Sequence, residues 1–291
     1  MKNVKKISVW LVFASLWLGC KEALPPIDFT EPIKLLRDTT YIADNLPVGV
    51  QKNVLLEDIS GVRCTNCPKA AVIAHELKDS FPDRVVVMTL HTWELSTLTA
   101  PYVDSKDTLN TEVATEIVSN LIGKPNGLPA GAIDRRIFSG SSVRYINNYN
   151  SWRTLVHDIL KEEPVADINL SLVRTGDNTV NANIKTTFLK GQSEAVFLSV
   201  FLIESGIVSN QEMPDVTINN DYVHNDILRM GITPYAGIKL ADNVEVGRVF
   251  EKGIPIEIPK KYNQDNCSIV VLVNFAGSNS DVLQCVEAHV N

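Results

Sequence analysis

The feature that most constrains this chain is a pair of cysteines, Cys64 and Cys67, separated by two residues and placed between an apolar run and a helix-forming segment. The apolar run, residues 54–59, predicts a buried strand. Pro68 favours the first turn of a helix, where a backbone amide hydrogen has no partner to lose. We therefore predict a helix over residues 67–80. Cys64 then lies at the helix N-terminus, where unpaired amides and the helix dipole stabilise a thiolate.

This arrangement of strand, Cys-x-x-Cys and helix resembles the redox site of thioredoxins. Thioredoxins carry an acidic residue six positions before the first cysteine, and Asp58 has that spacing here. They also place a cis-proline loop against the cysteines, and residues 127–134 resemble that loop, with Pro129 as the cis candidate. The residues between the two cysteines are threonine and asparagine instead of glycine and proline, which leaves the redox potential and the direction of electron flow open.

Two uses of the cysteine pair remain open. In the first, Cys64 attacks a disulfide and Cys67 resolves the mixed disulfide. The resemblance then implies that Asp58 is a proton acceptor and that Pro129 shapes a peptide groove. In the second, the pair forms a structural disulfide or is a remnant of an ancestral site, because exported cysteines are oxidised by default. Structural zinc lacks a second ligand pair at suitable spacing, so we expect no metal and no cofactor.

Two more side chains lie near this predicted site. Glu57 neighbours Asp58 but points to the other face of the strand, and we expect it to be a partly solvated surface carboxylate. His91 directly follows the second predicted strand, residues 85–90. At that position it could change the pKa of a cysteine thiol. The chain's histidines show no paired metal-binding spacing, so structural or surface roles are expected for them.

The first twenty residues have the pattern of an export signal. Three lysines precede an apolar run, residues 7–18, which is too short to span a bilayer comfortably. The run ends at Gly-Cys20, which resembles a bacterial lipobox, although Trp17 departs from the usual leucine or valine. We expect acylation of Cys20, which would anchor the chain to the lipid bilayer; secretion with Cys20 removed is the alternative. Residues 21–45 are predicted to be a tether.

The rest of the chain divides into two patterns. Residues 46–163 alternate strand and helix signals, which predicts an α/β three-layer domain of the thioredoxin-like kind. Residues 165–291 contain about seven strand signals, which suggests an antiparallel β-sandwich, Ig-like in type.

Two cysteines in the second part, Cys267 and Cys285, flank one predicted hairpin. If residues 277–280 form its turn, position 272 faces position 285, so the two cysteines are out of register. We expect two free buried thiols, with a disulfide as the second choice.

The chain beyond the signal segment resembles the 28-kDa outer-membrane protein family of Gram-negative lipoproteins. The resemblance is carried by residues 56–68, 222–229 and 282–286. It implies a thioredoxin-like domain, a C-terminal β-domain and an outer-membrane location. Lys21 agrees with that location, because it stands directly after Cys20, where an aspartate often retains lipoproteins at the inner membrane. The biochemical role of that family is poorly defined, so an envelope or surface protein partner stays unidentified. The net charge of -7 and the lack of a basic run argue against nucleic acid as a partner.

Overall fold

The computed structural model describes residues 35–290, so the predicted signal segment and Cys20 lie outside the described residues. This part of the chain is a mixed α/β fold built mostly from strands, and no helix in it is both long and apolar enough to cross a membrane. The helices are α1 (Cys67–Ser80), α2 (Ser96–Thr99), α3 (Glu112–Ile117) and α4 (Trp152–Ile159). The strands are β1 (Arg37–Ile42), β2 (Val54–Ser60), β3 (Val85–His91), β4 (Ala130–Ile133), β5 (Ala166–Gly176), β6 (Thr179–Phe188), β7 (Val196–Glu204), β8 (Ile207–Glu212), β9 (Ile218–His224), β10 (Ile227–Gly231), β11 (Ile238–Ala241), β12 (Arg248–Glu257), β13 (Cys267–Phe275) and β14 (Val282–His289).

The largest sheet has the strand order β14-β13-β7-β10-β3-β2-β4, with β11 also paired to β7. It contains strands from both sides of residue 164, and the crossing point is the parallel pair β10–β3, with Ile227 opposite Thr89. The structure therefore differs from the predicted division into residues 46–163 and a separate sandwich of residues 165–291. The physical reason is that β7 and β13 are apolar along almost their whole length and need cover on both faces.

Helices cover both faces of the sheet around β2 and β3. On one face, α1 and α4 pack against the sheet, with the fully buried Trp152 as their largest side chain. On the other face, α3 and the π-helical turn Val118–Ile122 pack against it. Neighbouring residues of β2 serve opposite faces, since Leu56 packs toward α1 and Leu55 toward α3. Every side chain of β2 is buried, so its polar residues depend on partners inside the protein.

A second, antiparallel sheet has the order β1-β12-β6-β5, and β8 pairs with β9 as a separate hairpin. β1 lies within residues 21–45, the predicted tether, and pairs with β12 from Arg37 opposite Gly253 to Ile42 opposite Arg248. The tether prediction is therefore wrong for this stretch. Its threonine, tyrosine and isoleucine side chains favour an extended strand that adds to a sheet edge.

Helix starts follow capping chemistry. α1 covers the predicted residues 67–80, and α3 begins at Glu112. Thr111 caps α3, and its hydroxyl accepts a hydrogen bond from the Ala114 amide at 3.2 Å.

Glu57 is fully buried, so the expectation that it is a partly solvated surface carboxylate is wrong. Its carboxylate accepts hydrogen bonds from Arg135 at 2.7 Å (Nη2) and 2.9 Å (Nε). Arg135 is also fully buried, on the turn that follows β4. The two charges offset each other inside the protein, since β2 lies between β3 and β4 and both side chains are fully buried.

The hairpin β13–β14 confirms the predicted register, with Leu272 opposite Cys285. Cys267 and Cys285 are accordingly free and buried. Burial raises the pKa of the Cys267 thiol to about 12 and that of Cys285 higher still. Both therefore remain protonated, unreactive thiols in the folded protein.

Candidate active site

The loop between β2 and α1, residues 61–66, which we call the cysteine loop, leads into the disulfide bond of Cys64 with Cys67. Two backbone hydrogen bonds close its turn: the Cys64 amide donates to the Gly61 carbonyl at 3.0 Å, and the Cys67 amide donates to the Cys64 carbonyl at 3.1 Å. Glycine is needed at position 61, since a Cβ there would lie 2.4 Å from the Leu98 carbonyl oxygen. Cys67 is the first residue of α1, so the predicted order of strand, cysteine loop and helix is confirmed.

Asp58 lies on the face of β2 that packs on α1, and its side chain is buried. Its Oδ1 atom has no hydrogen-bond partner among the described residues. Burial raises the pKa of this carboxyl group to about 7. A group with that value takes up and releases a proton near neutral pH, which is the property expected of a proton acceptor.

Pro129 follows a cis peptide bond with Leu128, as the sequence predicts. It directly precedes β4, which runs antiparallel to β2 with Ala130 opposite Ile59. Ile59 is the penultimate residue of β2, so Pro129 lies at the end of the strand from which the cysteine loop leaves. The fold therefore brings the cis-proline segment and the cysteine loop to the same end of the sheet.

A cavity of about 20 Å³ lies between α1 and the sheet, and Asp58, Cys67 and His91 line it. Such a volume holds about one water molecule. Both ring nitrogens of His91 are buried and lack partners within the described part of the chain, and the ring stands edge-on to His224 with centroids 5.9 Å apart. Burial holds the pKa of His91 well below its usual range and lowers that of His224 to about 4, so both rings are neutral at pH 7. The cavity thus connects Cys67 with Asp58 through a polar space.

The β8–β9 hairpin packs over the cysteine loop, residues 61–66. The side-chain amide of Gln211 donates to the Cys64 carbonyl at 3.1 Å and to the Gly61 carbonyl at 3.3 Å. The Glu212 amide donates to the Val62 carbonyl at 2.8 Å. Cys64 is 3% exposed and Cys67 is 1% exposed, so the disulfide is closed to a protein substrate in this conformation.

Residues 100–102, in the segment between β3 and α3, form a second wall of the site. The guanidinium of Arg63 donates to the carbonyls of Ala100 at 2.8 Å and Pro101 at 3.2 Å, and it stacks on the Tyr102 ring at 4.1 Å from the centroid. The Tyr102 hydroxyl reaches the Glu212 carboxylate at 3.2 Å. Sequence reasoning missed these contributions, because the segment has no clear periodicity and β8 is a short strand with a polar second half.

The family model described as outer membrane protein Omp28 matches residues 120–291, more than half of the chain. The chain belongs to the Omp28 family. The matched segment contains Pro129 and the β8–β9 hairpin, whereas Cys64 and Cys67 lie before it. Membership confirms the family that the sequence resembles, and the predicted outer-membrane location agrees with the family's description. No curated protein matches the chain.

Solved structures give a measure of the fold of this Omp28 protein. It is similar to HBP35 of Porphyromonas gingivalis, with a TM-score of 0.63 and 15% identity over 82% of this chain and 76% of that one. It is also similar to protein AGR_C_4864 of Agrobacterium tumefaciens, with a TM-score of 0.51 and 11% identity over 84% and 97% of the two chains. A domain of the outer membrane lipoprotein Omp28 from Porphyromonas gingivalis matches 45% of this chain and 91% of that chain, with a TM-score of 0.30 and 16% identity.

Proposed function

We propose that this Omp28 protein is a lipid-anchored thiol-disulfide oxidoreductase of the cell envelope, with a thioredoxin-like site formed by Cys64, Cys67, Asp58 and Pro129. The observation that carries the proposal is the buried carboxyl group of Asp58, which lines the same cavity as Cys67 and whose Oδ1 atom has no hydrogen-bond partner among the described residues. A structural disulfide has no use for such a group, whose burial without a full set of partners costs free energy. A resolving thiol does need one, because its proton must be removed before it can attack.

The reaction balances as a two-electron exchange. In the reduced protein, the Cys64 thiolate attacks one sulfur of a substrate disulfide, and the other substrate sulfur leaves as a thiolate that takes a proton from water. Cys67 then gives its proton to Asp58 and attacks the Cys64 sulfur of the mixed disulfide. The second substrate sulfur leaves as a thiolate that also takes a proton from water, the Cys64–Cys67 disulfide forms, and the substrate disulfide has become two thiols. A thiol donor of the envelope must reduce the pair again before the next turnover.

Access to the site depends on the β8–β9 hairpin, since both sulfurs are buried beneath it. The hairpin is held on the cysteine loop by apolar packing of Ile207 with Val62 and by hydrogen bonds from Gln211 and Glu212. Individual bonds of this type contribute about 1 kcal/mol each, so a bound partner can offset their loss. A substrate protein would therefore bind the Pro129 end of the sheet and displace the hairpin.

The second candidate function is a surface binding module in which the disulfide only fixes the start of α1. The closure of Cys64 and Cys67 beneath the hairpin favours it. In that case the β-rich remainder of the chain carries the function, and no partner protein needs to reach the sulfur atoms.

Insulin reduction separates the two functions. We expect the reduced full-length protein, with dithiothreitol as donor, to precipitate insulin chains at least about tenfold faster than the donor alone. Cys64→Ser is expected to fall to the background rate, because the attacking sulfur is gone. The Cys267→Ser variant is the matched control and is expected to keep the wild-type rate, since that thiol is buried away from the site. Equal, background rates for the wild type and Cys64→Ser would remove the oxidoreductase and leave the binding module.

A thiol count tests the lipid anchor. In denaturant without reductant, we expect two reactive thiols, those of Cys267 and Cys285, because Cys64 and Cys67 are joined and the sulfur of Cys20 is blocked by its lipid. Adding reductant is expected to raise the count to four. In the native protein, the count is expected to be close to zero. A third reactive thiol in unreduced protein, removed by Cys20→Ser, would contradict acylation of Cys20.

A further inference from the structure

The cavity beside Cys67 has an outer end, at His75. Cys67, Ala71 and His75 follow one another at every fourth residue of α1, so they share one side of the helix. All three line the same cavity. The small side chain of Ala71 leaves space between the buried sulfur and the histidine, whose side chain is 37% exposed. The cavity therefore extends from the buried sulfur of Cys67 to a residue that reaches solvent.

His75 is held in place by Asp226, at the start of the turn into β10. The Nδ1 atom of His75 lies 3.6 Å from Oδ2 of Asp226, whose other oxygen accepts a hydrogen bond from Lys78 at 2.7 Å. The Ser205 hydroxyl accepts a hydrogen bond from the Asp226 amide at 2.9 Å and donates one to Oδ1 of the Asp226 carboxylate at 3.4 Å, which fixes the carboxylate in turn. The ring of His75 thus faces a buried carboxylate, as the rings of histidines that transfer protons often do.

We propose that His75 is the proton outlet of the redox site, which rests on the proposed function of Cys67 and Asp58. The proton that Cys67 gives to Asp58 passes to a water molecule in the cavity, then to the imidazole of His75 and finally to solvent. Asp58 is left ionised and ready for the next turnover. During reduction of the disulfide, the same path runs inward and returns the proton to Cys67.

Other groups near Asp58 do not offer this exit. The titratable side chains that line the cavity around it are Cys67 and His75 of α1, His91 of β3, and Tyr222 and His224 of β9. His91 and His224 are buried, so neither gives the proton to bulk water. Tyr222 has its pKa raised, first by burial and second by the charge of Asp58, so its phenol keeps its own proton. His75 is the member of this group with an exposed side chain and a carboxylate partner.

The test follows the resolving step with a small disulfide, so that it needs no protein substrate. Reduced full-length protein is mixed with 4,4′-dithiodipyridine, and the release of thiopyridone is followed in two phases: attack by Cys64, then resolution by Cys67. We expect His75→Gln to leave the first phase unchanged and to slow the second about tenfold between pH 6 and 8. Added imidazole is expected to restore the second phase. His157→Gln, on the exposed side of α4, is the matched control and is expected to match the wild type in both phases.

Two results would overturn the proton outlet. One is a second phase in His75→Gln that equals the wild type across this pH range. The other is a slow second phase that imidazole does not restore, together with an equally slow first phase, which marks a structural defect. Failure of the proposed function looks different: insulin is not reduced, yet the second phase still depends on His75. If insulin is reduced and His75→Gln behaves as wild type, the function holds and the outlet is wrong.

Discussion

Asp58→Asn is expected to be more stable than the wild-type protein by about 4 kcal/mol at pH 8 and about equal to it at pH 4. Burial raises the pKa of Asp58 from 3.8 to about 7. Because the folded state holds this proton more tightly, the stabilising contribution is fully present below pH 4 and is lost as the pH rises through 7. The two pKa values differ by about three pH units, each worth about 1.4 kcal/mol. Asparagine keeps the shape without the charge and avoids this loss.

Denaturant unfolding of the oxidised protein at several pH values measures the effect. Asp79→Asn, on the exposed side of α1, is the matched control and is expected to leave the pH dependence unchanged. A parallel loss of activity is expected, since removing a general base slows the step it serves by about a hundredfold. The account is contradicted if the free energy of unfolding of Asp58→Asn depends on pH as the wild type does.

Arg135→Met is expected to lower the free energy of unfolding by about 3–5 kcal/mol, because it leaves the Glu57 carboxylate buried without its partner. Both side chains are fully buried, so water cannot replace the lost hydrogen bonds. The double variant Glu57→Leu with Arg135→Met is expected to recover most of this loss, since two apolar side chains of similar size need no partner. Urea unfolding of the wild type, Glu57→Leu, Arg135→Met and the double variant gives the coupling free energy directly.

The next residue provides the control for this prediction. Arg136 pairs with Glu162 at 2.7 Å, but their side chains are 26% and 45% exposed. Solvent screens such a pair, so Arg136→Met is expected to cost less than about 1 kcal/mol. If Arg135→Met and Arg136→Met prove equally mild, the Glu57–Arg135 pair is not the fully buried pair described above.

Much of the candidate site was predictable because its signals are local. The apolar run before the cysteines, the proline after Cys67 and the register of the β13–β14 hairpin each depend on residues close together in the chain. Asp58 and Pro129 were found through the resemblance to thioredoxins, and the cis bond before Pro129 has the predicted form. These are features that nearby residues decide on their own.

Long-range pairing was not predictable in the same way. β10 joins β3 through Ile227 opposite Thr89, residues that no local pattern connects. That pairing merges the two predicted domains into one sheet and brings the β8–β9 hairpin over Cys64. It also buries Glu57, because the burial of a strand residue depends on which neighbours cover both faces. The closed state of the disulfide is therefore a tertiary property.

The ionisation of Asp58 decides whether a proton-accepting carboxyl group lies buried beside Cys67. The measurement is a pH titration of ¹³C-labelled aspartate carboxyl resonances in the oxidised full-length protein, with Asp58→Asn used to assign the signal. We predict a midpoint at about pH 7 for Asp58. A midpoint near 4, the ordinary value for a solvated aspartate, would contradict the account.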